Sequence, residues 1–181
     1  HSTEEILDAL NFAIADPIRQ QLQDESELID CLQRTANATF ERLVQIQKPY
    51  QREIDALSKI PCLDETSARL IFAELCADLK GYFSDIEHFT SWMGICPGNN
   101  ISAQKSKDGK SAKGNKWLRR TLIECANTAR FRKDAINDRF NAFKLRRGTK
   151  RAVVAIAHYL VRVIYVVLTK RVEFSDNPTS M

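Results

Sequence analysis

Apolar residues recur at intervals of three and four along almost the whole chain, as they do on one face of an α-helix. Capping pairs mark two helix starts, Ser2 with Glu5 and Ser84 with Glu87, because a hydroxyl and a carboxylate can cap a first turn reciprocally. The pattern therefore predicts an all-α protein. The predicted helices cover residues 2–15, 17–47, 50–60, 67–77, 84–94, a segment that Asn115 caps, 133–147 and 149–170.

The helix predicted from Pro17 to Gln47 is unusually long. A rise of about 1.5 Å per residue makes it roughly 45 Å long, more than a compact domain of this size can cover. It is either one arm of an intramolecular helical hairpin or a coiled-coil arm that forms a homodimer, and we favour the coiled coil. Its apolar positions are Ile18, Leu22, Ile29, Leu32, Ala36, Leu43 and Ile46.

The segment from Ile54 to Ala68 resembles a helix-hairpin-helix, a motif that points backbone N–H groups at a phosphate. Cys62 and Asp64 stand where that motif has glycines. A left-handed turn is costly without glycine, and the carboxylates of Asp64 and Glu65 repel phosphate. We therefore interpret the segment as a degenerate helix-hairpin-helix that packs the domain, with DNA contact as the alternative.

Positive charge is concentrated in one part of the chain. Residues 102–151 hold 16 Lys/Arg against 4 Asp/Glu, a balance of +12, whereas the other 131 residues hold 11 against 19, a balance of −8. Lysines and the N–H groups of a helix that follows Asn115 can bind phosphate, so nucleic acid is the predicted partner. The predicted nucleic-acid-binding residues are Lys105, Lys107, Lys110, Lys113, Asn115, Lys116, Arg119 and Arg120.

Ser102 opens this basic segment, which we define as residues 102–120. The segment contains no histidine, so Ser102 has no partner for a hydrolase triad, and by spacing alone it is a solvated loop residue. Lysines can neutralise the charge on a phosphate under attack. The segment therefore suits phosphoryl transfer better than acyl transfer.

The remaining signals indicate structure rather than chemistry. Five widely spaced cysteines without a CxxC pair argue against a disulfide framework or a zinc site and fit a reducing cytosol. The apolar run from Ala152 to Thr169 carries His158 and Arg162, so we expect a core helix with a satisfied polar pair, not a membrane span. Trp92 and Trp117 lie on apolar faces and are predicted core residues. No metal site is predicted.

Several short motifs follow one another in order: Ile60-Pro61, Phe89 to Asn100, Ser102 to Lys105, Lys113 to Arg119, and Arg147 to Ala152 with His158. This series resembles the C-terminal domain of the IS110 family of bacterial insertion-sequence transposases, which includes IS116 and IS902. The resemblance covers residues 50–170. The long helix before them is similar to the coiled coil that links the two domains of that family.

The resemblance implies a recombinase whose N-terminal RuvC-like domain binds Mg²⁺ through four acidic residues. It implies that a serine of the C-terminal domain attacks the DNA backbone, and this serine falls on Ser102. The family's SxGK pattern reads Ser102-Ala103-Gln104-Lys105 here, with glutamine at the glycine position. Family members are guided by a structured RNA, so the resemblance implies a guide RNA as a further partner. It also implies that the protein is located in the bacterial cytoplasm, at the nucleoid.

These observations predict a helical arm over residues 1–49, a transposase C-terminal helical domain over 50–172 and a flexible tail over 173–181. No RuvC-like strands or acidic quartet occur, and the chain opens with His1, so we expect part of a longer enzyme that is inactive alone and holds no cofactor itself. The alternatives are a non-catalytic nucleic-acid-binding module of a decayed mobile element and a purely structural dimerisation unit.

Overall fold

The computed structural model describes residues 16–75, 79–83, 85–95, 101–102, 105–106 and 114–175, with backbone only at 79–80, 101–102 and 105–106. Short 3-10 helices cover Lys48–Tyr50 and Ala129–Phe131, and strands β1 (Ile101–Ser102) and β2 (Lys105–Ser106) form an antiparallel pair. The α-helices are α1 (Asp16–Gln47), α2 (Gln51–Ser58), α3 (Glu65–Leu75), α4 (Leu79–Tyr82), α5 (Ile86–Trp92), α6 (Lys116–Thr128), α7 (Ala135–Arg147) and α8 (Thr149–Lys170).

The predicted all-α class is confirmed, and most helix bounds fall within two or three residues of the predicted ones. The predicted cap of α5 is wrong. Its N-cap is Asp85, whose Oδ1 accepts a hydrogen bond from the His88 N–H at 2.8 Å. Ser84 lies outside the described residues, as does the helix predicted over residues 2–15. Aspartate is as good an N-cap as serine, so the local sequence allowed either start.

Contacts divide the chain into two units, His1–Pro49 and Tyr50–Met181. In the first unit, α1 is a single helix of 32 residues whose apolar seam is largely exposed. The side chains of Ile29 and Leu32 are 54% and 60% exposed. Polar side chains bond one turn along the helix, for example Gln20 Nε2 to Asp24 Oδ1 at 3.0 Å. α1 therefore carries the predicted seam without a described partner for it.

The second unit is built around α8, which packs against α2, α4, α5, α6 and α7. All nine buried residues of α8 are apolar, at the spacing of a helix face, from Ala152 to Val167. Among the described residues α8 alone is long and apolar enough to meet the criteria for a membrane span, yet half of it is buried within the domain. The predicted core helix is confirmed.

The predicted satisfied pair of His158 and Arg162 on α8 is wrong. Arg162 is exposed and its Nη1 lies 3.4 Å from Glu87 Oε1 of α5. His158 is half-buried, and burial, followed by the nearby Arg162 charge, lowers the pKa of its imidazole. Arg162 therefore contacts Glu87 on α5 at the surface and does not form a satisfied pair with His158 inside the fold.

The turn between α2 and α3 keeps the bend of a hairpin without glycine. Cys62 adopts a left-handed φ of 73°, and the Leu63 N–H donates to Ile60 O at 3.1 Å. Asp64 Oδ1 accepts from the Ser67 N–H at 2.8 Å and so caps α3. Hydrogen bonds from Ser67, first from its hydroxyl and then from its backbone, lower the pKa of Asp64. The carboxylate thus has a structural use, which supports the interpretation as a packing hairpin.

The segment predicted as a flexible tail begins with residues that contact the domain. Glu173 Oε1 lies 2.6 Å from Lys59 Nζ, and Phe174 packs against the core. Residues 176–181 lie outside the described part of the chain. The helical domain therefore extends past residue 172, the predicted boundary, because the aromatic side chain of Phe174 gains from leaving water.

Candidate nucleic-acid interface

Two glycines, Gly94 and Gly114, lie in contact where the end of α5 meets the residues before α6. Gly114 lies directly against the end of α5, so close that a Cβ at this position would be 2.5 Å from Trp92 O and nearer still to Met93 C and Gly94 N. Gly94 has a left-handed φ of 69° and ends α5, with Met93 and Ile95 buried on either side. Gly94 and Gly114, 20 positions apart in the sequence, therefore lie side by side.

Asn115 fixes the start of α6 immediately after this contact. Its Oδ1 accepts hydrogen bonds from the N–H groups of Trp117 and Leu118 at 3.0 and 3.2 Å, and its Nδ2 donates to Glu74 Oε2 of α3 at 2.7 Å. The prediction that N–H groups after Asn115 are open to a phosphate is wrong for these two, since Asn115 caps them itself. Its direct contact with nucleic acid stays a prediction; its observed role is to position α6.

The first turns of α6 present cations beside an exposed aromatic ring. Lys116 Nζ lies 4.9 Å from the centre of the Trp117 ring, and Trp117 is 58% exposed. Arg120 is exposed and its Nε donates to Glu124 Oε1 at 2.9 Å, while Arg119 is half-buried. Lysine and arginine next to an indole form a surface on which a phosphate and a base can both be bound.

The prediction that both tryptophans are core residues is wrong. Trp117 precedes Leu118 by one residue, a rotation of about 100° around the helix that turns it away from the buried face. Trp92 is 40% exposed and rests on Phe83, with ring centres 5.2 Å apart. The buried face of α6 consists of Leu118, Leu122, Cys125 and Ala126. Apolar spacing alone assigned Trp117 to that buried face. Its position beside Asn115 and among three cations was the sequence signal that it lies at the surface.

A two-residue hairpin stands in the first part of the basic segment, where the sequence predicted only a loop. Its register pairs Ser102 with Lys105 and Ile101 with Ser106. Pairing satisfies backbone N–H and C=O groups that would otherwise need water. The backbones of the candidate nucleophile and of the first predicted phosphate-binding lysine therefore lie opposite each other.

Residues 54–142 match the family model described as Transposase IS116/IS110/IS902 family. They are a transposase domain of this family. No curated protein matches the chain. The matched range runs from α2 into α7 and contains the Gly94–Gly114 contact, the hairpin and all of α6.

The structure describes only some of the predicted site residues of the transposase domain. Ser102 and Lys105 lie on the hairpin, and Asn115, Lys116, Arg119 and Arg120 lie at the start of α6. The other three predicted residues, Lys107, Lys110 and Lys113, lie outside the described residues.

Among the described residues of the transposase domain, the thiols and carboxylates indicate no second reactive or metal-binding site. Burial raises the pKa of Cys62 and Cys125, so both stay protonated at neutral pH. Within the described ranges, no group of three or more His, Cys, Asp or Glu side chains could hold a metal ion. These residues therefore do not fit the Mg²⁺ that the family resemblance implies.

Proposed function

We propose that this chain is the DNA-binding C-terminal part of a bacterial transposase and that Ser102 is its nucleophile for DNA strand exchange. The observation that carries the proposal is the pairing of Ser102 with Lys105 at the head of the basic segment. Gly114, within the basic segment, lies against Gly94 at the end of α5. A serine and a lysine on facing strands can approach the same phosphate.

The proposed step is a transesterification. The Ser102 hydroxyl gives up its proton to a base, and its oxygen forms a new bond to phosphorus of a DNA phosphodiester. The bond from phosphorus to a sugar oxygen breaks, and that oxygen takes up a proton. The resulting serine–phosphate ester conserves the bond energy for rejoining the strands, which hydrolysis would lose.

Lysines and arginines would contribute binding and stabilise the transition state. They neutralise the charge that develops on the phosphate oxygens during attack. Lys105 is the cation next to Ser102 in the hairpin register, whereas Lys116 and Arg120 lie on α6 and would hold the DNA backbone further along. We expect binding with little sequence preference, because contacts with phosphate carry no base information.

The family resemblance implies that a separate RuvC-like domain would bind the Mg²⁺, and the described residues here include no group of three or more His, Cys, Asp or Glu side chains that could hold a metal ion. The chain alone is then expected to bind DNA without cleaving it. A guide RNA would be a second partner besides DNA. The protein would bind DNA and RNA in the bacterial cytoplasm, at the nucleoid.

The exposed seam of α1 supports a homodimer through the arm. Leu28, Ile29 and Leu32 are each more than half exposed, which is costly for side chains of this size unless a second helix covers them. A parallel or antiparallel coiled coil with another copy would cover the seam and place two serines in one assembly.

DNA binding is tested on the chain itself by titrating duplex DNA at several salt concentrations. If about six cations touch phosphates, the slope of log K against log salt is about −5. Lys116→Gln with Arg120→Gln should make the slope shallower by about 1.8 if each makes one contact. Arg52→Gln with Lys170→Gln, two exposed cations outside the basic segment, is the matched control. A flat salt dependence in the unmodified chain would exclude the proposed function and favour a purely structural dimerisation unit.

The role of Ser102 is tested in the enzyme assembled with its RuvC-like domain and guide RNA. Ser102→Ala should bind DNA as before, because the cations are unchanged, but should form neither a covalent protein–DNA adduct nor a recombinant product. Ser106→Ala, on the facing strand of the same hairpin, is the control and should stay active. Normal recombination by Ser102→Ala would leave the non-catalytic binding module as the better description.

A further inference from the structure

A second positively charged surface lies where α7 meets α8, outside the range matched by the family model. Gly148 alone joins the two helices. Its N–H donates to Lys144 O at 2.9 Å and closes α7, and its C=O accepts from the Ala152 N–H at 3.0 Å and opens α8. We call residues 144–151 the α7–α8 corner. The carboxyl end of one helix and the amino end of the next therefore meet at a single residue.

Only glycine readily adopts the backbone of this corner. Gly148 has φ 78° and ψ 166°, a region that side-chain-bearing residues avoid. A Cβ there would meet no heavy atom within 4 Å among the described residues. The glycine therefore sets the direction of the chain and does not fill a packed space, and Gly148 itself is exposed.

Five exposed cations surround the corner, within eight residues. In the described part of the chain none of them has a hydrogen bond or an ion pair with another side chain. The surrounding sequence offers no carboxylate, because the 34 residues between Asp138 and Glu173 contain nine Lys/Arg and no Asp/Glu. The five are Lys144, Arg146, Arg147, Lys150 and Arg151.

Two of these cations lie where they destabilise α8. Cations at the end of α7 are favourable for its dipole, but Lys150 and Arg151 lie in the first turn or so of α8, where a cation is unfavourable. That turn has no acidic residue, and no side chain caps it. Five like charges around one bend add mutual repulsion. A polyanion bound at the corner would remove both penalties.

We propose that the α7–α8 corner binds the phosphate backbone of duplex DNA as a second contact surface, distinct from the basic segment. The inference rests on the proposed DNA-binding function and adds a second place at which the protein contacts the duplex. Residues 144–151 include no aromatic side chain, on which unpaired bases stack, whereas Lys and Arg from two helix ends can reach successive phosphates. A duplex is therefore favoured over a single strand.

The test is Lys150→Gln with Arg151→Gln in the full 181-residue chain. Removing cations from the start of α8 should leave the melting temperature unchanged or raise it, so lost binding would not reflect lost folding. Two phosphate contacts fewer make the slope of log K against log salt shallower by about 1.8 and lower the duplex affinity at 0.1 M salt by roughly 10- to 60-fold. Arg52→Gln with Lys170→Gln, which removes the same charge elsewhere, should change the slope by less than half as much.

Each result decides for or against the corner. An unchanged slope in Lys150→Gln/Arg151→Gln, with a salt-dependent unmodified chain, overturns the corner and leaves the proposed function intact. A flat slope in the unmodified chain overturns both. Polyglutamate and vesicles with 30% anionic lipid serve as other polyanions. If either binds as tightly as the duplex and loses as much affinity in the variant, the corner serves an acidic protein or a membrane surface, and the DNA proposal is wrong.

Discussion

Replacing Gly114 by alanine adds a single methyl group at the contact between Gly114 and the end of α5. The added methyl carbon would lie 2.5 Å from Trp92 O and closer to Met93 C and Gly94 N, whereas an ordinary contact begins at 3.4 Å. All three atoms belong to the backbone, so no side chain can rotate away. The end of α5 and the start of α6 must separate.

The magnitude follows from that separation. Relieving the overlap requires a shift of roughly 1 Å between two backbone segments, and overpacking of a tight interior contact costs about 1–3 kcal/mol. For a helical unit of this size, we expect a fall in melting temperature of about 5–10 °C. Because Asn115 follows directly and holds α6 against Glu74, the shift should also weaken DNA binding by displacing Lys116 and Arg120.

Two measurements on Gly114→Ala check this reasoning, thermal unfolding by circular dichroism and duplex binding in a salt titration. Ser91→Ala, an exposed position at the same end of α5, is the control and should stay within about 0.5 kcal/mol of the unmodified protein. A Gly114→Ala protein with unchanged melting temperature and unchanged DNA affinity would refute the close contact of Gly114 with Gly94.

Three further changes test other parts of the molecule. Ile29→Glu with Leu32→Glu places like charges in the seam of α1, so light scattering should show loss of the dimer while the helical signal of the second unit persists; a monomeric unmodified chain at tens of micromolar would contradict the coiled coil. Trp117→Ala should weaken single-stranded DNA binding by about 1–3 kcal/mol and duplex binding little, whereas Trp117→Phe should retain both; equal losses on both substrates would argue against stacking. Burial and the Arg162 charge lower the pKa of His158, so the unfolded chain binds its proton more readily and stability falls as pH drops below about 6.5. His158→Gln should flatten the decline in melting temperature between pH 7.5 and 5, and an unchanged decline would assign it to other groups.

Helix positions were largely predictable because they depend on local rules. The start of α8 at Thr149 follows from a glycine before an apolar-periodic run, and the start of α6 follows from the Asn115 cap. The error at α5 arose where two adjacent residues, Ser84 and Asp85, are both good caps. Local sequence cannot choose between equal caps; the packing of the following helix does.

The residues of the site were less predictable than the fold. The cations of the basic segment were evident from composition, and Ser102 entered only through resemblance to the transposase family. The exposure of Trp117 was not predicted, because an apolar residue beside a buried stripe fits either side of the boundary. The role of Asn115 was half predicted, since the cap is local but the bond to Glu74 joins residues 41 positions apart.

The sequence by itself determined the all-α class, the long arm with its apolar seam, the core helix α8 and the concentration of positive charge, since periodicity, capping and composition act within a few residues. Only the structure decided that Gly114 lies against Gly94, that the backbone of Ser102 pairs with that of Lys105, and that Gly148 turns the chain between α7 and α8. These depend on backbone segments approaching each other, and on a φ value that glycine permits, neither of which is written in the spacing of apolar residues.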